Sequence, residues 1–418
     1  LNHTQTISNL RRIAALFSAN LRRINAVFSV KACIYGKNIL SLPCYDKRKS
    51  MNHRYIWQDT DLRNMTWQDH VFSNLLSEVN LLRGKLLGRL SLFGFKEQSN
   101  SMLESLTEEI VRSSEIEGER LNRDSVRSSV ARQLGLEYKG LPKSDHYIEG
   151  VVQVMVDATQ HFQDSLNKER LCGWHAALFP TGHSGMYKIT VGDWRQSKEA
   201  MQVVSGAMRR QKIHYEAPPS NEVPQMMQDL FAWIENETLS IDPLVKAAVA
   251  HLWFVTIHPF DDGNGRLCRT VTEMLLSRAD GTSQRYYSLS SEILNHRKDY
   301  YAQLEKAQHG GLDITEWITW FLETLGKALH VALEKTENTI RKVRFWDEHK
   351  DIELNDRQRK VINMLLDGFE GKLSSSKWYK INHCSQDTAT RDLNDLVKKN
   401  ILRKSNEGGR STGYELLF

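Results

Sequence analysis

Residues 258–269 read His258-Pro259-Phe260-Asp261-Asp262-Gly263-Asn264-Gly265-Arg266-Leu267-Cys268-Arg269, and the rest of the chain is organised around them. Upstream, Leu244, Ala248, Leu252 and Val255 recur at helical spacing, which predicts a helix over Asp242–Ile257. Pro259 and the Gly263/Gly265 pair end it in a tight loop. Leu267, Val271, Met274 and Leu275 then resume the helical pattern, so the glycines lie at the N-terminus of a second helix. Backbone N–H groups and the positive end of the helix dipole meet there, a place suited to phosphate. Arg266 and Arg269, three residues apart, leave the same side of the new helix. The Asp262 carboxylate stands where it can hold a divalent metal that bridges phosphates. The His258 imidazole opens the loop. Base, metal ligand, anion hole and two arginines in so short a stretch point to phosphoryl or nucleotidyl transfer.

The stretch resembles the signature of the Fic (Fido) family, H-P-F-x-[DE]-G-N-G-R-x-x-R, at every specified position. The resemblance implies a mainly α fold, a helical Fido core carrying a β-hairpin flap. It also implies transfer of AMP from ATP, with Mg²⁺, to a Ser, Thr or Tyr hydroxyl of a protein target. His258 would be the base, since a hydroxyl needs one at attack and imidazole is poised near neutrality. Mg²⁺ on Asp262, the Gly263–Gly265 backbone N–H groups and the Asn264 amide would neutralise the α-phosphate. Arg266 would hold the β- and γ-phosphates and Arg269 the γ-phosphate. Phe260 would anchor the loop in the core.

Further matches lie on both sides of the signature. Ser113-Ser114-Glu115-Ile116-Glu117-Gly118 fits the family's inhibitory pattern [ST]-x-x-x-E-[GN]. It ends a predicted helix, Met102 to Ile116, and precedes the catalytic stretch. The implied members are those braked by an N-terminal helix, with Ser113 and Glu117 inhibitory and Glu117 competing for Arg269. Val203-Val204-Ser205-Gly206 resembles the flap beside the nucleotide, whose edge can hold a target segment by β-augmentation. Tyr300 and Gln308 match positions that face the nucleotide.

The expected organisation follows. Residues 1–50 are a basic extension, 51–140 a small helical domain with the inhibitory helix, and 141–335 the Fido catalytic domain. Residues 336–354 are a charged helical linker, and 355–418 a winged helix-turn-helix, with Gly408-Gly409-Arg410-Ser411-Thr412-Gly413-Tyr414 as its wing. Residues 355–418 hold twelve Lys/Arg against eight acids, so DNA and protein partners stay equally open for it. A homodimer is also left open.

Composition bounds the rest. The net charge of +5 comes from residues 1–50, which hold nine Lys/Arg against Asp46 alone; residues 51–418 hold 47 basic and 50 acidic side chains. Those first fifty residues contain no methionine, and a dense globular pattern starts after Met51. An upstream extension outside the native product is therefore favoured over a transit peptide. No apolar run reaches 18 residues, so no membrane span is expected. Five scattered cysteines without CxxC pairs suggest a reducing cytoplasm and no zinc site. Two other enzymatic readings stay open: removal of AMP, with Glu117 orienting water, and transfer of another phosphate-containing group. A reading of a different class is a DNA-binding or adaptor protein acting through the winged helix. Degraded catalytic positions would favour it, and none is seen.

Overall fold

The computed structural model describes residues 55–58, 61–91, 93–136, 146–205, 212–405 and 412–417. The basic extension, Gly206 of the flap and residues 408–411 of the expected wing lie outside them. Among the described residues the fold is mainly α, with fourteen α-helices and three short strand pairs. In chain order come α1 (Asp69–Leu90), α2 (Phe95–Ile116), α3 (Arg123–Gln133), α4 (His146–Gln160) and α5 (Lys168–Leu178). Two hairpins follow, β1 (His183–Ser184) with β2 (Tyr187–Lys188), and β3 (Gln202–Ser205) with β4 (Lys212–Glu216). Then come α6 (Val223–Ile234), α7 (Pro243–Ile257), α8 (Asn264–Asp280), α9 (Leu289–Asn295), α10 (Arg297–Gln308) and α11 (Thr315–Glu348). The chain ends in α12 (Asp356–Leu366), α13 (Ser375–Asn382), α14 (Gln386–Lys398), β5 (Leu402–Lys404) and β6 (Tyr414–Leu416).

Helix α7 is the core of the fold because its sequence is apolar all round, and such a helix must be surrounded. Every residue from Ala247 to Ile257 is buried. Asp242 caps its start, accepting from the Leu244 N–H at 2.8 Å, and Pro243 occupies the first turn, where its missing N–H costs nothing. Helix α8 packs against it, and Trp317 of α11 ties in by donating to the Ala248 carbonyl at 2.7 Å. Helix α1 lies along α11, with Gly326 leaving room for Val79. The segment before α1 is stitched to that before α11 through Thr66, whose N–H reaches the Leu312 carbonyl at 2.7 Å.

Three elements differ from the sequence-based expectation. Helix α2 starts at Phe95 rather than Met102, because the Gln98 side chain ties the polar first turn to the Leu90 and Phe93 carbonyls at 3.0 Å. The charged segment expected as a linker is the second half of α11. That helix runs 34 residues, about 50 Å, because nothing stops it: it contains no proline, and its one glycine faces Val79. Within the expected helix-turn-helix, Leu373 pairs with Tyr414, and Ser374 caps α13.

Helices α12 to α14 and the β5–β6 pair close around a second core of Val361, Ile362, Leu366, Trp378, Leu393 and Leu396, joined by Phe345 of α11. Asn355 and Gln358 form a reciprocal capping box at the start of α12. No helix among the described residues is long and apolar enough to cross a membrane.

Helices α4 and α5 approach closely at Gly150, where an added Cβ would stand 2.1 Å from the Ala177 carbonyl oxygen. Gly150→Ala is therefore expected to destabilise the fold by about 1–3 kcal/mol through backbone displacement. An unchanged denaturant midpoint would contradict this.

Candidate active site

Helix α7 ends where His258 turns left-handed, at φ 53° and ψ 61°. A residue with a Cβ is strained there, by about 1–3 kcal/mol, and the surroundings must hold it. Buried Arg195 supplies the hold. Its Nε donates to the His258 carbonyl at 2.8 Å, and its backbone N–H donates to the Pro259 carbonyl at 2.9 Å. Phe260 is buried, stacked on His175 at 4.1 Å between ring centres. Gly263, at φ 81°, then sets the turn into α8.

The Asn264 amide departs from its expected role. Its Oδ1 accepts from the Phe260 N–H at 2.9 Å and its Nδ2 donates to the Phe260 carbonyl at 2.8 Å. Both ends of the amide are committed to bracing the loop.

His258 lines a cavity of about 1240 Å³ together with Asp262, Gly263, Asn264, Gly265, Arg266, Val203, Val204, Tyr300 and Gln308. Of the described expected site residues, all line this one space except Arg269 and Ser113, which are buried, and Ser205, which continues strand β3; Gly206 lies outside the described residues. The His258 Nδ1 faces the Val255 carbonyl at 3.3 Å, so that nitrogen carries the proton and Nε2 keeps a free lone pair. Burial pushes the imidazole down to about 4, with Arg195 adding to the shift and the Val255 contact opposing it. It is therefore a neutral acceptor well below pH 7, rather than a group poised near neutrality.

Asp262 Oδ1 accepts from the Gly263 N–H at 2.6 Å, and its Oδ2 accepts from the Ser184 hydroxyl. Among the described residues no cluster of three or more His, Cys, Asp or Glu could hold a metal. A lone carboxylate suits Mg²⁺ that takes its other ligands from phosphates and water. The Tyr300 hydroxyl is engaged by His251 at 2.9 Å, so this residue meets the cavity as a wall.

The two arginines are already occupied. Arg269 is 1 % exposed; its Nε donates to the Ser113 hydroxyl at 2.9 Å and its Nη2 to the Ser113 carbonyl at 2.8 Å. The same Nη2 lies 2.8 Å from Glu117 Oε1. Glu117 also covers the start of α8, since a Cβ added to Gly265 would stand 2.0 Å from that oxygen. Arg266 pairs with Glu119 at 3.0 Å and with the Tyr147 hydroxyl. Arg269 Nη1 and Arg266 Nε are buried with no hydrogen-bond partner among the described residues.

Residues 165–276 match the Fic/DOC family. The chain carries a Fic/DOC domain. Residues 55–136, which contain α1 to α3, match a domain of unknown function (DUF4172). The Caenorhabditis elegans protein adenylyltransferase fic-1 is 34% identical over 116 residues, 26% of this chain and 21% of the worm protein. Drosophila erecta protein adenylyltransferase Fic is 30% identical over 140 residues, 32% of this chain and 27% of the fly protein. The matches thus span under a third of either relative. A Fic family protein from Desulfovibrio desulfuricans G20 superposes with a TM-score of 0.48 at 23% identity, covering 83% of this chain and 95% of that one.

Sequence reasoning missed Arg195, His175, Ser184, Tyr147 and Glu119. Four lie outside any recognisable pattern, and only Glu119, two residues past Glu117, had a local signal.

Burial of the His258 ring sets the pH at which it charges. An NMR titration should find its ring neutral down to about pH 5. Because the unfolded chain protonates this group near 6.5 and the folded chain near 4, stability is lost as pH falls between those values. The slope from this one imidazole is about 1.4 kcal/mol per pH unit at most. A ring that titrates near 6.5 would contradict the site geometry.

Proposed function

We propose that this protein moves AMP from Mg-ATP to a Ser, Thr or Tyr hydroxyl of a protein target and is held nearly inactive by Glu117. One observation carries the reading: a carboxylate oxygen sits 2.8 Å from Arg269 and against Gly265 at the N-terminus of α8. It stands in for an anionic phosphate oxygen, the group such a helix start attracts. The names of the relatives, protein adenylyltransferases, supply the donor.

In the reaction, His258 Nε2 takes the proton of the target hydroxyl as its oxygen attacks the α-phosphorus. The bond to pyrophosphate breaks, and Arg266 and Arg269 neutralise the leaving group. Asp262 would hold Mg²⁺, which when bound would offset charge on the phosphates. The target would lie along the β3–β4 hairpin, where Val204 and Ile213 are exposed beside the main chain.

The unit formed by α12 to α14 and β5–β6 reads as a winged helix. Thr390, Arg391, Asn394 and Lys398 share an exposed face of α14. Such polar and basic side chains suit duplex DNA, and binding that weakens steeply with salt is the expected result. No binding at low salt would leave a protein partner instead.

The catalytic reading is tested by two substitutions and labelled ATP. His258→Ala should lower labelling of protein by about 10²–10⁴ while Mg-ATP still binds. Glu117→Gly should raise self-labelling from α-labelled ATP, by about tenfold or more, since a charge-assisted hydrogen bond is worth about 1.5–3 kcal/mol. Adding Arg269→Ala should cancel that gain. A folded, ATP-binding Glu117→Gly protein that labels no more than wild type would show that Glu117 is not the brake.

A further inference from the structure

We propose that Glu119 is a second inhibitory carboxylate, closing Arg266 as Glu117 closes Arg269, and that the two release as one unit. This rests on the brake reading above and names the part of it that moves.

The chain after α2 forms a Schellman turn. The Gly118 N–H donates to the Glu115 carbonyl at 2.9 Å, and the Glu119 N–H donates to the Ser114 carbonyl at 3.0 Å. Gly118 takes φ +87°, a conformation that side chains resist. The turn fixes Glu117 and Glu119 on either side of a glycine, with their carboxylates directed at two arginines one helical turn apart on α8. Glu-Gly-Glu on one element is thus matched to Arg-x-x-Arg on another.

The second contact is built as carefully as the first. Glu119 Oε2 lies 3.0 Å from Arg266 Nη1, and the Tyr147 hydroxyl touches both groups. Burial pushes the Tyr147 phenol upward, so it stays protonated and donates to Glu119 while accepting from Arg266. The Arg266 side chain is 10 % exposed, and its guanidinium is held over the Phe179 ring, 5.2 Å from its centre. A polyphosphate chain long enough to reach both arginines must displace both carboxylates.

Upstream, the helix itself is fixed. Glu109 is buried and accepts from the Ser288 hydroxyl at 2.7 Å, the Ser290 N–H at 2.9 Å and the Ser290 hydroxyl, all at the start of α9. Ser113 is bound to Arg269 through its hydroxyl and carbonyl. Withdrawal of α2 would break all of these contacts, whereas opening the turn at Gly118 breaks the two carboxylate pairs and leaves Glu109 in place. The moving part is therefore residues 117–119.

The test is isothermal titration of the full chain with two probes: tripolyphosphate, which has the anionic chain without a nucleoside, and α,β-methylene-ATP, which cannot transfer AMP. Glu119→Gln should bind tripolyphosphate about 3–10-fold more tightly than wild type, a partly exposed ion pair being worth less than a buried one. Tyr147→Phe should shift affinity the same way, and it carries the test if the first variant melts early. With Glu117→Gln added to Glu119→Gln, the joint gain should differ from the product of the single gains, as for groups that move together. Glu119→Gln binding neither probe more tightly overturns the second latch. A joint gain equal to the product overturns release as one unit. A gain for tripolyphosphate with none for the ATP analogue supports the latch and removes the adenylyl-donor reading, so the two failures are distinct.

Discussion

The interaction on which the rest of the site depends is the pairing of the Arg269 guanidinium. At 1 % exposure it has no access to water, and a charge so placed without partners costs several kcal/mol. Ser113 and Glu117, both contributed by the α2 segment, provide its acceptors. Docking of α2 and neutralisation of the arginine are therefore one event. The buried guanidinium is thus neutralised by a carboxylate that the chain itself contributes.

That dependence explains how the scaffold is arranged around α7 and α8. The loop between them must present backbone N–H groups at a helix start, and it is braced from within by Asn264 and from behind by Arg195. The bracing side chains of Asn264 and Arg195 are buried, and His258 and Asp262 line the cavity. The side chains that shape the loop and these two that line the cavity thus differ in burial. This separation lets the left-handed His258 keep its strain, since the Arg195 contacts oppose relaxation.

Much of the site was legible because its parts are local. A helix, a proline, two glycines and a new helix fix the loop within one short stretch, and the positions of His258, Asp262 and Arg266 follow. What was not legible depends on distant contacts. Nothing near Asn264 indicates that Phe260 takes both ends of its amide. Nothing in Tyr147 foretells that its hydroxyl will lie between Glu119 and Arg266, 119 residues away. The start of α2 was missed because its first turn is polar and held by Gln98 rather than by apolar periodicity. The second half of α11 read as a linker because its exposed charges hide its continuity with a buried first half.

On the proposed function, the same pairing would link activity to stability. If Glu117 and Glu119 both leave, Arg269 keeps Ser113, but Arg266 keeps only Tyr147 and a buried Nε without a partner. In the proposed brake, the open state would then be disfavoured by desolvated charge, and the closed state would be the ground state without any further device. A polyphosphate would return acceptors to both arginines, so the ligand that needs the site open is also the one that stabilises it open. A regulator need not therefore supply the whole cost of opening. On that proposal it would have only to lower the population of the closed turn at Gly118, after which a bound nucleotide's own charge would hold the site open.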